Sequence, residues 1–154
     1  MKNIATLFSF FAIALMMIAC NEDDVPNTFT IDGDWDISKI SVGWGQPDRA
    51  GAEISFTDTY TFHSNGTFSR IIVDGELDKE ASGVYVVAPL EDRDSHLTHL
   101  FYVNLTYHTG AEFASNCYSG GEEAQGETLM VTEDHRLVTT WQACDGPAYY
   151  YEKR

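Results

Sequence analysis

From Thr30 to Lys153 the chain repeats one pattern: short runs in which apolar and polar side chains alternate, broken by clusters of Gly, Asn or Asp. The clearest run is Glu53 to His63, where Ile54, Phe56, Tyr60 and Phe62 share one parity against Ser55, Thr57, Thr59 and Thr61. A period of two places alternate side chains on opposite faces of a strand. No window of about 11 residues sustains the 3.6 period of a helix. β-branched and aromatic residues, which suit a pleated surface, are abundant throughout. The chain is therefore constrained to an all-β fold.

The pattern predicts eight strands: Trp35 to Val42, Glu53 to His63, Thr67 to Val73, Ala81 to Val87, Leu97 to Tyr107, Glu127 to Thr132, Arg136 to Gln142 and Ala148 to Lys153. Ser64-Asn65-Gly66 reads as a hairpin turn, with Gly66 free to adopt positive φ. Glu133-Asp134-His135 reads as another. Asp74 to Lys79 and Pro89 to Ser95 read as charged loops, and on the fifth strand Leu97, His99, Phe101, Val103, Leu105 and Tyr107 fall on one side. Strands that follow one another without crossover helices pair antiparallel. Eight of them close into an up-and-down barrel, which removes exposed sheet edges. A two-sheet β-sandwich is the alternative.

The N-terminal segment differs in kind. Lys2 precedes an apolar run from Ile4 to Ile18, interrupted by Thr6 and Ser9, and Ala19 ends it. These are the parts of a secretory signal. The run is about 15 residues, short of the roughly 20 that span a bilayer as a helix. Met17-Ile18-Ala19-Cys20 resembles the lipobox of bacterial lipoproteins, with Met17 where Leu is usual. The resemblance implies that residues 1–19 are a signal peptide, that Cys20 is acylated, and that the chain is anchored to a membrane of the bacterial envelope. Ordinary signal cleavage and a true membrane anchor are the other readings of the segment. Residues 20–28 then form the lipidated Cys and an acidic tether, and residues 29–154 the barrel domain. Acidic residues directly after Cys20 are similar to the signal that sends Bacteroidetes-type lipoproteins to the outer face of the outer membrane, so either the periplasmic or the surface face is open.

Charge excludes one class of partner. Removing Lys2 from nine basic residues leaves eight against 24 acidic ones, a net of −16. That field repels nucleic acid and anionic headgroups, so no nucleic-acid partner is expected. A soluble, monomeric domain is expected instead. With Cys20 acylated, Cys117 and Cys144 remain as a pair in a disulfide-permissive compartment. No CxxC spacing and no neighbouring basic residue favours a metal site or a reactive thiol over a bridge. The bridge would staple the long Gly-, Ser- and Glu-rich stretch Thr109–Gly126.

Within the domain, Ile31-Asp32-Gly33-Asp34-Trp35-Asp36-Ile37, Tyr60-Thr61-Phe62-His63-Ser64-Asn65-Gly66-Thr67-Phe68, Gly83-Val84-Tyr85 and Tyr150-Tyr151-Glu152-Lys153 stand in an order that resembles the small lipocalin-like barrel lipoproteins of the Bacteroidetes. The resemblance implies that Trp35, in Gly-x-Trp, plugs one end of the barrel, with Arg154 the nearest candidate to pack on it. The Thr-Asp-Tyr motif of lipocalins is not evident, so lipocalin function does not follow. What is implied is a barrel able to hold a small apolar ligand.

The inward candidates for such a site are Trp35, Phe56, Tyr60, Phe62, Phe68, Tyr85, Phe101 and Trp141. An eight-stranded barrel is just wide enough to be filled by side chains or to hold one small ligand. Buried as core, each ring contributes roughly 1.5–3 kcal/mol. Both readings stand: a ligand-binding lipoprotein, or an interaction module with a filled core that contacts another envelope component. Asp32, Asp34 and Asp36 alternate, but an EF-hand needs Gly and Glu where Ile37 and Gly43 stand. On a strand His99 faces away from both His96 and His108, so the three do not assemble a zinc site. No Gly-x-Ser-x-Gly, HExxH or phosphate loop occurs. Neither an enzyme nor a cofactor is expected.

Overall fold

Alternation over nine short segments builds one antiparallel sheet. The computed structural model describes residues 29–75, 77–89, 99–117 and 125–154; the signal segment, Cys20, the tether, His96 and Leu97 lie outside them. The strands are β1 (Gly33–Ser41), β2 (Arg49–Ala50), β3 (Thr57–Phe62), β4 (Thr67–Asp74), β5 (Leu77–Pro89), β6 (His99–Thr109), β7 (Gly126–Thr132), β8 (Leu137–Thr139) and β9 (Ala148–Lys153). From β3 to β9 each pairs with the next, and β1 pairs with both β3 and β9. The eight long-range strands therefore close on themselves as an antiparallel barrel within Ile31–Arg154. The two-residue β2 only lines the upper edge of β1, at Lys39 and Ile40. Every barrel strand finds both neighbours inside this range, so the sheet needs nothing from residues 1–28 to complete it.

The hairpin at Ser64-Asn65-Gly66 forms as the sequence predicts. Gly66 has φ +80°, and Asn65 Oδ1 accepts from the backbone N–H and hydroxyl of Thr67. A bulge between Ser82 and Gly83 interrupts the β5–β6 ladder. There a Cβ on residue 83 would lie 2.0 Å from the carbonyl oxygen of Thr106, so only glycine fits.

Several boundaries differ from expectation. Asp74 to Lys79 is not a loop: the chain turns tightly at Gly75 and β5 starts at Leu77, paired with Asp74. Its charges obscured the strand because Asp78 and Glu80 face solvent while Lys79 sits at an open barrel end. The strand foreseen from Glu53 begins only at Thr57, after a 3-10 turn at Gly51–Glu53. The strand expected to run to Gln142 stops at Thr139, and Trp141–Cys144 forms a 3-10 turn instead. Cys144 in that turn is bonded to Cys117.

One end of the barrel is filled. Trp35, Phe62 and Phe68 are buried there, and the Trp35 indole N–H donates to the Ile31 carbonyl at 2.7 Å. Phe62 stacks on Tyr60 with centroids 5.9 Å apart and meets Tyr85 edge-on at 5.1 Å. The cation on Trp35 is Lys153, its Nζ 5.7 Å from the ring centroid. Arg154 is turned outward and pairs with Asp34 and Asp36, whose other bonds come from Thr61 and Thr59. The parity of β9 explains the exchange: residue 153 shares the register of Trp35.

Candidate ligand site at the open end of the barrel

Above the filled end lies a layer of buried polar side chains. Asp58 and Arg70 come from the adjacent strands β3 and β4, each on the inward parity of its strand. Arg70 Nε donates to Asp58 Oδ1 at 2.9 Å and Nη2 to Oδ2 at 2.6 Å, the two-pronged geometry that a guanidinium and a carboxylate favour. Tyr151, from β9, donates to Asp58 Oδ2 at 2.8 Å. Arg70 Nη1 donates to the Phe113 carbonyl at 2.7 Å and to the Tyr107 hydroxyl at 3.3 Å. Its guanidinium also lies 4.6 Å from the centroid of the Tyr60 ring.

Glu127, from β7, completes the layer. Tyr60 donates to its Oε2 at 3.0 Å, Tyr107 donates to the same atom, and Arg70 Nη1 is 3.5 Å away. Its Oε1 is buried without a hydrogen-bond partner among the described residues. Burial raises the pKa of Glu127 above the ordinary carboxylate value, against the opposing pull of Arg70 and the two tyrosines. Burial likewise pushes the hydroxyls of Tyr60, Tyr107 and Tyr151 up. Burial works against the charge of Arg70, but Tyr60, Tyr151, Asp58 and Glu127 outweigh it and hold the guanidinium more firmly protonated. Apart from Glu127 Oε1, the layer satisfies its own hydrogen bonds.

Beyond this layer the barrel opens into a cavity of about 370 Å³. Asp58 and Arg70 form its floor; Phe56, Ile72, Phe113, Trp141 and Tyr149 form its walls; Asp74, Lys79 and Glu112 stand at its rim. Tyr149 meets Phe56 and Trp141 edge-on, at 6.5 and 6.2 Å. Trp141 rests on Gly146, where a Cβ would come within 2.5 Å of the indole. The wall segment after β6 is tied down twice. Arg70 holds the Phe113 carbonyl, and the Cys117–Cys144 disulfide joins the β6–β7 connection to the 3-10 turn that carries Trp141. Among the described residues, further cavities of about 390 Å³ beside β1 and β3 and about 360 Å³ beside the disulfide lie elsewhere on the barrel.

Of the eight residues that the sequence singles out, only Phe56 and Trp141 line the mouth. Trp35, Tyr60, Phe62 and Phe68 are packed below it, and Tyr85 and Phe101 are half-buried elsewhere. The expectation for Trp141 needs revision in its setting: it reaches the mouth from a turn and not from a strand. Asp58, Arg70, Ile72, Phe113, Glu127 and Tyr149 were missed. A signal for three of them existed, because Asp58, Arg70 and Glu127 each stand in phase with the apolar residues two positions away. A charge on the inward parity of a strand marks a buried polar layer. Among the described residues, no group of three or more His, Cys, Asp or Glu is placed to hold a metal ion.

Fold and site together define a closed eight-stranded antiparallel β-barrel, compatible with a lipocalin-like fold, filled at one end and open to a small cavity at the other. Comparison with known protein families, with curated proteins and with solved structures finds no match for the chain.

Proposed function

We propose that the protein is a lipid-anchored envelope lipoprotein that binds a small, largely apolar molecule in the mouth of its barrel, as a carrier or receptor and not as an enzyme. One observation supports this reading most: an aromatic-walled cavity of about 370 Å³ sits over a polar floor. That size and that mixture are typical of small-molecule sites. The filled end and the hydrogen-bonded layer beneath give the cavity a rigid base, which lowers the cost of ordering a site on binding. The anchoring part of the reading rests on Cys20 and the segment before it. It places the barrel at the bacterial envelope, as a monomer on a short acidic tether.

Titrating residues 21–154 with N-phenyl-1-naphthylamine tests the binding reading. A saturable rise in its fluorescence, abolished by Ile72→Trp to fill the mouth, is the expected result. No saturable binding at micromolar probe sinks it. For the anchor, the expected result is that Cys20→Ala releases the protein from the membrane fraction. The contrasting reading, a module that contacts another envelope component, draws on the exposed Val84 and Val86 on the outer face of β5.

A further inference from the structure

We infer that the mouth selects neutral or cationic amphiphiles that carry a hydrogen-bond donor, such as alcohols and amines, and rejects carboxylates and other anions. This inference rests on the proposed ligand site and adds the chemistry of the head group. The reasoning starts from the floor. Among the described residues Arg70 is the only cation there, and an anionic head would need its N–H groups. All five are engaged: Nε and Nη2 on Asp58, Nη2 also on the Tyr151 hydroxyl at 3.4 Å, and Nη1 on the Phe113 carbonyl and the Tyr107 hydroxyl.

The protons of the three tyrosines of the floor are engaged as well, while the Tyr149 hydroxyl and the Trp141 indole N–H belong to the walls. Tyr151 donates to Asp58, while Tyr60 and Tyr107 donate to Glu127. An anion lowered onto this floor would lose its water without gaining a donor, which is strongly unfavourable. A donor finds the opposite situation. Asp58 lines the cavity, and its Oδ1 accepts a single bond, from Arg70 Nε. A carboxylate oxygen has room for a second donor. The floor accepts and does not give.

The rim reinforces the choice. Among the described residues, Asp74 and Glu112 set two carboxylates against the ammonium of Lys79. A cationic head therefore meets a net negative rim, and an anionic one is repelled by it. The walls are largely aromatic, with donors only on Trp141, Tyr149 and Ser115 among the described residues, so the contrast between heads is carried chiefly by the floor and the rim.

The test compares three ligands with one decyl chain: decan-1-ol, decylamine and decanoate. Each displaces N-phenyl-1-naphthylamine from residues 21–154, whose sheet closes without the preceding segment. Measuring at about 0.5 M NaCl screens the overall negative charge and leaves the floor as the deciding factor. The expected result is displacement by decanol and decylamine at concentrations at least tenfold below that of decanoate. Decanoate matching decanol within threefold overturns the inference while leaving the binding site intact. Failure of the naphthylamine probe itself to bind overturns the site and the inference with it. Glu112→Lys supplies a second reading at the exposed rim, where folding is not at stake. At low salt it should narrow the gap between decylamine and decanoate at least threefold; an unchanged gap counts against the rim's part.

Discussion

The two ends of this barrel are made from the same strands and the same alternation, yet one is solid and the other is a site. At the filled end, β3 and β4 present Phe62 and Phe68, which meet across the ladder as direct partners. Four residues away on the same parity, the same strands present Asp58 and Ile72 as partners instead. Between the two, Tyr60 and Arg70 are opposite each other. Packing thus stops where charge enters the inward register. A buried guanidinium must be met by carboxylates and hydroxyls, and satisfying it draws Asp58, Glu127, Tyr107 and Tyr151 into one plane. What remains above that plane is open. The polar layer is both the floor of the mouth and the lid of the core.

Breaking that layer should have the largest effect. Arg70→Ala leaves Asp58 as a buried charge without its partner, a change that costs roughly 3–5 kcal/mol. Denaturant unfolding of the variant should show that loss, and the Phe113 segment should become sensitive to protease. The double change Asp58→Asn with Arg70→Met should recover much of it, since paired removal leaves no orphan charge. A loss below about 1 kcal/mol for Arg70→Ala would mean that water reaches the pair and that the layer is not a floor.

The contrast between the ends also explains how much could be read before the structure. The filled end was legible because its residues obey simple rules: alternation places Phe62 and Phe68, and Asn65-Gly66 turns the chain between them. The all-β class, the sequential pairing and the Cys117–Cys144 bridge followed from equally local signals. The mouth was less legible because it is assembled from exceptions. Phe113 and Trp141 reach it from 3-10 turns, and Lys79 stands in a strand whose charges resemble a loop. The polarity of the floor was present in Asp58, Arg70 and Glu127, but a single strand does not show that three charges on three strands will meet. Lys153 and not Arg154 lies on Trp35 for a similar reason, since the register between β1 and β9 depends on the bulge after Ile37.

The disulfide sharpens the comparison next, because it acts at the open end alone. Its loop of 27 residues in sequence separation gives a stabilisation of about 3.5 kcal/mol from restricting the unfolded chain. Cys117→Ser, or reductant, should lower the melting temperature accordingly. Probe binding in the mouth should fall as well, since the bridge holds the turn carrying Trp141. An unmoved melting temperature under reductant would show that the two connections are held without it.

Glu127 offers a smaller effect with a defined direction. Its pKa in the barrel is raised above the ordinary 4.5, chiefly by burial. Stability from this group is fully present below about pH 4.5 and is lost as pH rises through the raised value, because the folded state resists an ionisation that the unfolded chain accepts. Each unit of elevation corresponds to about 1.4 kcal/mol. Glu127→Gln keeps the acceptor for Tyr60 and Tyr107 and removes the ionisation. Its stability relative to wild type should therefore improve as pH rises from 4.5 to neutrality, measured by urea midpoints across that range. A difference that stays flat, or falls, would show that Arg70 and the tyrosines already hold Glu127 ionised.

The finest comparison sets one tryptophan against the other. Trp35 is fully buried at the filled end and Trp141 is half-buried at the mouth. Trp35→Ala should cost roughly 3–5 kcal/mol, as for other large core rings. Trp141→Ala removes only part of a burial and should cost about 1 kcal/mol. For probe binding the expected order is reversed. Trp141 forms a wall with Tyr149 and Phe56, so its loss should weaken N-phenyl-1-naphthylamine binding about tenfold, or about 1.4 kcal/mol. Trp35, screened from the mouth by the polar layer, should leave the affinity of the folded fraction within about twofold. Equal effects of the two substitutions on binding would mean that the probe reaches past Asp58 and Arg70, and that the barrel has one continuous lumen and not two unlike ends.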